Sequence, residues 1–237
     1  MKNNYLITIG IFLPVLLTSC RSDQTIPTVI QETTTRPVVT EVLSDIIDTC
    51  KFIPLETASD KSLVGHISKI LKYKDKFYIA TDNKRILVFN TDGSFSHRID
   101  RLGRGPQEYA DLADFDIADD RIIVLSHHKI VVYTLDGAHV SSTPFDFNGL
   151  NIKVVGDNYL LRSNKESFLR TIDIRSGKTG SLQVDMQQNM RLGRKNCFLP
   201  FDRGVLIQQG HSNIFSYYSA DAPTEISEIA LLPDPDL

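Results

Sequence analysis

The sequence predicts an all-β fold built from a recurring four-stranded unit. Strand-forming residues predominate: Ile and Val are frequent, with eight tyrosines and twelve phenylalanines in 237 residues, side chains that suit a pleated, half-buried surface. Short apolar runs are punctuated by Asp-Gly or Ser-Gly pairs at Asp92-Gly93, Asp136-Gly137 and Ser176-Gly177, which close hairpins. The run recurs at Phe77, Ile122, Tyr159 and Val205, spaced 45, 37 and 46 residues apart, the period of a four-stranded propeller blade. Helical repeats of that length would show apolar residues at i, i+3 and i+4, whereas these runs alternate or are continuously apolar and β-branched.

The first twenty residues carry Lys2, an apolar run from Tyr5 to Leu17 and then Thr18-Ser19-Cys20. Pro14 interrupts the run, which falls short of the ~20 residues a spanning helix needs, so it reads as a secretory signal. Leu17-Thr18-Ser19-Cys20 resembles a bacterial lipoprotein box. That resemblance implies that Cys20 is the lipid-modified first residue of the mature protein, anchored to a membrane of the cell envelope. Residues 21–45 are rich in Thr, Gln, Ser and Pro, as suits a flexible tether. The folded domain is expected over 46–237. It opens with Phe52-Ile53-Pro54-Leu55-Glu56, read as an edge or closing strand because its proline cannot donate within a central ladder.

The first unit runs from Ile67 through Asp75–Ala80, Arg85–Phe89 and the turn at Asp92-Gly93 to Ser94–Ile99; the second runs through Asp120–Leu125, Lys129–Tyr133 and Asp136-Gly137 to Ala138–Thr143. A third contains Asp157–Leu161, Arg170–Ile174 and Ser176-Gly177. A weaker fourth contains Arg203–Ile207, Asn213–Tyr218, a turn near Asp221 and an outer strand over Glu225–Ala230. Between the first two units lies Arg101, Gly103, Arg104, Gly105, Pro106, Glu108 and Tyr109, a turn-rich connector. Its glycines are expected to adopt positive φ, and Arg101 or Arg104 to pair with Glu108 between neighbouring blades.

Phe52–Thr57, Val88–Gly93, Gly103–Tyr109 and Asp114–Ile117 together resemble six-bladed β-propeller lipoproteins of Bacteroides-type bacteria, relatives of NHL-repeat propellers. The resemblance covers roughly residues 46–232 and implies a role beside glycan-uptake machinery. Six blades need about 250 residues after the tether, and Ile67 to Leu237 holds 171. The expectation is therefore four blades of a probable six, an open arc with a C-terminal truncation.

A formal net charge of -3 leaves no basic excess to meet phosphate and argues against a nucleic-acid binder. Gly103-Arg104-Gly105 lacks the third glycine and the following helix of a phosphate loop. No GxSxG elbow occurs. Asp114 and Asp116 lie two apart on a strand, so their carboxylates share one face, the channel face of an innermost strand. There they either hold a divalent cation or activate water, or accept backbone N–H bonds. Adjacent His127 and His128 point opposite ways and read as solvated loop residues. Besides Cys20, Cys50 and Cys197 read as buried free thiols, with one disulfide as the alternative. The leading reading is a non-catalytic, lipid-anchored propeller that binds a protein or glycan and needs no cofactor. The alternative, implied by lactonase-like and hydrolase-like six-bladed propellers, is a metal-dependent enzyme in which Asp114, Asp116 and Asn151 or Asn158 converge on one ion.

Overall fold

The computed structural model describes residues 49–163, 168–184, 197–208 and 214–230. The signal segment with Cys20 and the tether lie outside the described residues. Contacts divide the chain into two units, Met1–Cys50 and Lys51–Leu237, and the fold described below is that of the second.

Among the described residues, sixteen strands form four antiparallel sheets of four, each following chain order. Blade 1 comprises β1 (Ile67–Tyr73), β2 (Lys76–Thr81), β3 (Ile86–Asn90) and β4 (Phe95–Ile99). Blade 2 comprises β5 (Asp114–Ala118), β6 (Arg121–Ser126), β7 (Lys129–Thr134) and β8 (His139–Pro144). Blade 3 comprises β9 (Gly149–Val155), β10 (Asn158–Ser163), β11 (Phe168–Asp173) and β12 (Thr179–Gln183). Blade 4 comprises β13 (Phe198–Phe201), β14 (Gly204–Gln208), β15 (Ile214–Ser219) and β16 (Ser227–Ala230). The arrangement is a four-bladed β-propeller, with no helix among the described residues.

The repeat positions read from the sequence are equivalent in register. Phe77 pairs with Phe89, Ile122 with Tyr133, Tyr159 with Ile172 and Val205 with Tyr218, each on the second and third strands of its blade. Strand alternation sends successive side chains to opposite faces of a blade, so each blade feeds two cores. Tyr78, Ile86 and Val88 meet Phe115, Ile122 and Tyr133 between blades 1 and 2. Leu125, Ile130 and Val132 meet Ile152, Tyr159 and Leu161 between blades 2 and 3. Leu160 and Leu169 meet Val205 and Tyr218 between blades 3 and 4. On the far side of blade 4, Leu199 and Phe201 are 45% and 49% exposed.

The segment Phe52-Ile53-Pro54-Leu55 is not a strand, contrary to the sequence expectation. Phe52 is 90% exposed, Glu56 N–H donates to Gly93 O at 2.9 Å, and Glu56 Oε2 accepts the Phe95 N–H at 2.9 Å. Leu55 and Val64 pack on Ile79, Leu87 and Phe89, the face of blade 1 turned away from blade 2. The segment thus does for blade 1 what β4 does for blade 2. Ile53 lies over Gly93 as Ile99 lies over Gly137. Its role is to cover an apolar face, for which side chains suffice and a ladder is not needed.

The connector also differs from expectation. Positive φ occurs at Gly93, Gly137, Gly156 and Gly177 and not at Gly103 or Gly105. Gly103 leaves room for a side chain: a Cβ there would stand 1.9 Å from Glu108 Oε2 and would push that carboxylate aside. That carboxylate accepts the Gly105 N–H at 2.8 Å and makes no ion pair with Arg101 or Arg104 among the described residues. A turn of its own chain gives Glu108 a nearer donor than a flexible arginine does. Arg101 instead reaches Gly137 O. The bond between blades comes from Tyr109, fully buried, whose hydroxyl donates to Lys84 O at 2.9 Å. On the blade 2 side, Tyr133 Oη donates to Gln107 O at 2.8 Å, Ser142 Oγ to Pro106 O at 2.7 Å, and Lys129 Nζ to Gly105 O at 3.1 Å.

Candidate functional site

The first strands of all four blades, β1, β5, β9 and β13, line a central cavity of about 210 Å3, whose wall includes Lys69, Asp114, Asp116, Lys153, Cys197 and Leu199. An innermost strand is paired on one edge only, so alternate N–H groups on its other edge need acceptors. On β9 those groups belong to Ile152 and Val154. Asp114 Oδ2 accepts the Ile152 N–H at 3.0 Å and Asp116 Oδ2 accepts the Val154 N–H at 2.8 Å. Two carboxylates two residues apart therefore meet two N–H groups two residues apart, and the side chains of β5 continue the ladder across the blade junction.

The remaining carboxylate oxygens meet lysines. Asp114 Oδ1 lies 2.8 Å from Lys69 Nζ on β1, and Asp116 Oδ1 lies 2.9 Å from Lys153 Nζ on β9. Lys69 Nζ also donates to Phe115 O at 2.8 Å, and Asp114 Oδ1 accepts its neighbour's Phe115 N–H at 2.8 Å. Burial pushes the Asp114 carboxyl above its ordinary range, against the pull of Lys69 and of the Ile152 and Phe115 N–H groups. The cluster is a charge-compensated clasp over blades 1, 2 and 3.

The sequence placed Asp114 and Asp116 on one channel-facing side, and the structure brings them there. Their donors do not fit a divalent ion: each carboxylate already accepts an ammonium and a main-chain N–H, and a cation would stand beside two lysines. No group of three or more His, Cys, Asp or Glu residues gathers among the described residues. Asn151 lines this cavity, whereas Asn158 lies at the opposite end of its hairpin, paired with Val155 and Asp173. Sequence reasoning missed Lys69 and Lys153. The signal was present only as lysines at inner-strand positions of the flanking units.

Cys197 is buried and Cys50 exposed, both as free thiols, so the reading of two buried thiols holds for Cys197 alone. Burial pushes the Cys197 thiol up to about 11, with Arg162 pulling the other way. His127, expected to be a solvated loop residue, keeps its side chain 42% exposed and also bridges blades. Its Nε2 lies 2.6 Å from Asp111 Oδ2 and its Nδ1 3.2 Å from Gly149 O. Asp111 Oδ1 in turn lies 3.2 Å from Lys84 Nζ. The connector carboxylate thus ties blade 1 to blade 2, and the imidazole carries the contact to the first residue of blade 3.

Residues 28–192 match the model of a domain of unknown function, DUF4934, which covers most of the chain. The chain belongs to the DUF4934 family. No curated protein matches its sequence. Among solved structures it is similar to a Bacteroides fragilis protein described as exported, with a TM-score of 0.64 and 19% identity over 78% of this chain and 58% of that one. It is also similar to the Pan2 WD40 domain of Neurospora crassa, with a TM-score of 0.50 and 13% identity over 70% of this chain and 50% of that one. The chain thus spans between half and three-fifths of the length of these two. At such identities the likeness is one of fold.

Proposed function

We propose that this DUF4934 chain is a lipid-anchored, extracytoplasmic β-propeller that binds a protein or glycan partner and performs no catalysis. The observation that carries this reading is the state of the acid pair in the channel. Asp114 and Asp116 spend their oxygens on Lys69, Lys153, Ile152 N–H and Val154 N–H, and a carboxylate so held is a poor base for substrate. Support for the location comes from the Leu17-Thr18-Ser19-Cys20 segment and from the exported protein of similar fold. A role beside glycan uptake rests on the family resemblance of the sequence.

The anchor is tested by expressing the full chain in a Bacteroides-type host with an alkyne fatty acid. The expected outcome is label in the membrane fraction that disappears with Cys20→Ser. Unlabelled, freely secreted wild-type protein would overturn it. A purified chain holding one equivalent of a divalent ion, lost in Asp114→Asn, would restore the metal-dependent alternative.

A further inference from the structure

The largest cavity described lies away from the channel, between blades 2 and 3, with a volume of about 360 Å3. Its floor is the outer end of the core between those blades, with Ile123, Val132, Val154 and Tyr159. Val140 and Ile174, 46% and 38% exposed, line it beside Ser141 and Thr143, and Asp119 and Arg121 add charge of both signs.

The junction of blades 1 and 2 shows what fills the equivalent space. In blade 1, Val88 pairs with Tyr78 on one side and His97 on the other, and Ile86 pairs with Ile99. In blade 2, Val132 pairs with Ile123 and Ser141, and Ile130 pairs with Thr143. Register therefore places Ile123 where Tyr78 stands, Ser141 where His97 stands and Thr143 where Ile99 stands. Blade 1 closes its junction with the phenol of Tyr78, 1% exposed, and with the imidazole of His97, whose Nε2 meets Leu135 O of blade 2 at 2.9 Å. Blade 2 carries neither ring at these positions, and the cavity occupies the space that remains.

We propose that this cavity is a docking site for an aromatic side chain of a protein partner. The ring inserts at the blade 2–3 junction as Tyr78 and His97 do at the blade 1–2 junction, and its flanking residues pack on Val140 and Ile174. The argument rests on continuity with an interface the protein already builds, and on the ring type its own repeat uses there. Exposed apolar residues at the lip favour a partner chain over a free small molecule, because a lone ring would leave them in water. The inference rests on the binding-propeller reading but not on its lipid anchor.

The test uses the full chain in detergent with N-acetyl-tyrosinamide as probe, N-acetyl-alaninamide as control and p-cresol as a free aromatic, read by saturation-transfer NMR. The expected result is saturable transfer to the tyrosine probe and none to the alanine control. Ser141→His with Ile123→Tyr, which copies blade 1 into blade 2, should weaken that binding at least tenfold. Thr143→Ile, a milder filling that copies Ile99, should weaken it in the same direction, and unchanged circular dichroism shows that each variant is folded. Equal binding by a folded filled variant, or no binding of the tyrosine probe, overturns the proposal. Binding of p-cresol without the blocked amino acid overturns it in favour of a free aromatic ligand. Failure of fatty-acid labelling bears on the anchor and leaves these outcomes unchanged.

Discussion

Lys69 Nζ lies 2.8 Å from Asp114 Oδ1, a contact between the innermost strands of blades 1 and 2 in which both side chains are largely buried. Removing one member of such a pair leaves the other charged without its counterion, at a cost of about 3–5 kcal/mol. Lys69→Met should therefore destabilise the fold by about that amount, and Lys69→Met with Asp114→Asn by much less. Urea unfolding of the four corners of this cycle checks it. A loss in the double variant equal to the sum of the losses in the two single variants would show that the pair is not coupled.

Gly93 and Gly177 both adopt positive φ, 92° and 69°, yet they differ in what lies above them. A Cβ at Gly93 would stand 2.0 Å from Pro54 O, whereas nothing lies within 4 Å of one at Gly177. Gly177→Ala should cost about 1 kcal/mol, the penalty of the left-handed backbone alone. Gly93→Ala should cost more and expel residues 53–56 from blade 1. Proteolysis near Leu55 that becomes faster in Gly93→Ala and not in Gly177→Ala is the expected readout.

Burial raises the Tyr109 phenol from 10.0 to about 12, so the folded chain keeps a proton that the unfolded chain has released. The stability this contributes is complete below pH 10 and is lost as pH rises through the folded value. The loss reaches roughly 2–3 kcal/mol at about 1.4 kcal/mol per unit. Tyr133 is shifted in the same direction by burial. Stability measured by urea between pH 9 and pH 12 should fall steeply. In Tyr109→Phe it should start lower, by about 1 kcal/mol for the lost bond to Lys84 O, and fall less steeply. Parallel profiles would exclude Tyr109 as a contributor.

With its thiol pushed up to about 11, Cys197 presents ~0.1% thiolate at pH 8 and is buried as well. Iodoacetamide at that pH should alkylate exposed Cys50 in the native chain and reach Cys197 only once denaturant is added. Mass spectrometry of the peptides reads both. Rapid native labelling of Cys197 would mean that β13 opens from the channel.

The sequence by itself determined the blades. Alternation and β-branching define strands, Asp-Gly and Ser-Gly pairs define hairpins, and Phe77, Ile122, Tyr159 and Val205 keep a common register because each must present its side chain to the preceding core. The placement of Asp114 and Asp116 on one face was legible for the same reason, since strand period is a local property. Their meaning was not. Lys69 comes from 45 residues before Asp114 and the Ile152 N–H from 38 residues after it, and no local pattern records which donors a carboxylate will meet. Tertiary structure also decided that Glu108 accepts the Gly105 N–H rather than pairing with Arg101 or Arg104, that Phe52–Leu55 covers a face rather than pairing as a strand, and that His127 joins Asp111 as well as meeting solvent. In each case the chain offers several conformations or partners of nearly equal local energy, and the choice is made by which groups the folded chain brings within hydrogen-bonding or packing distance.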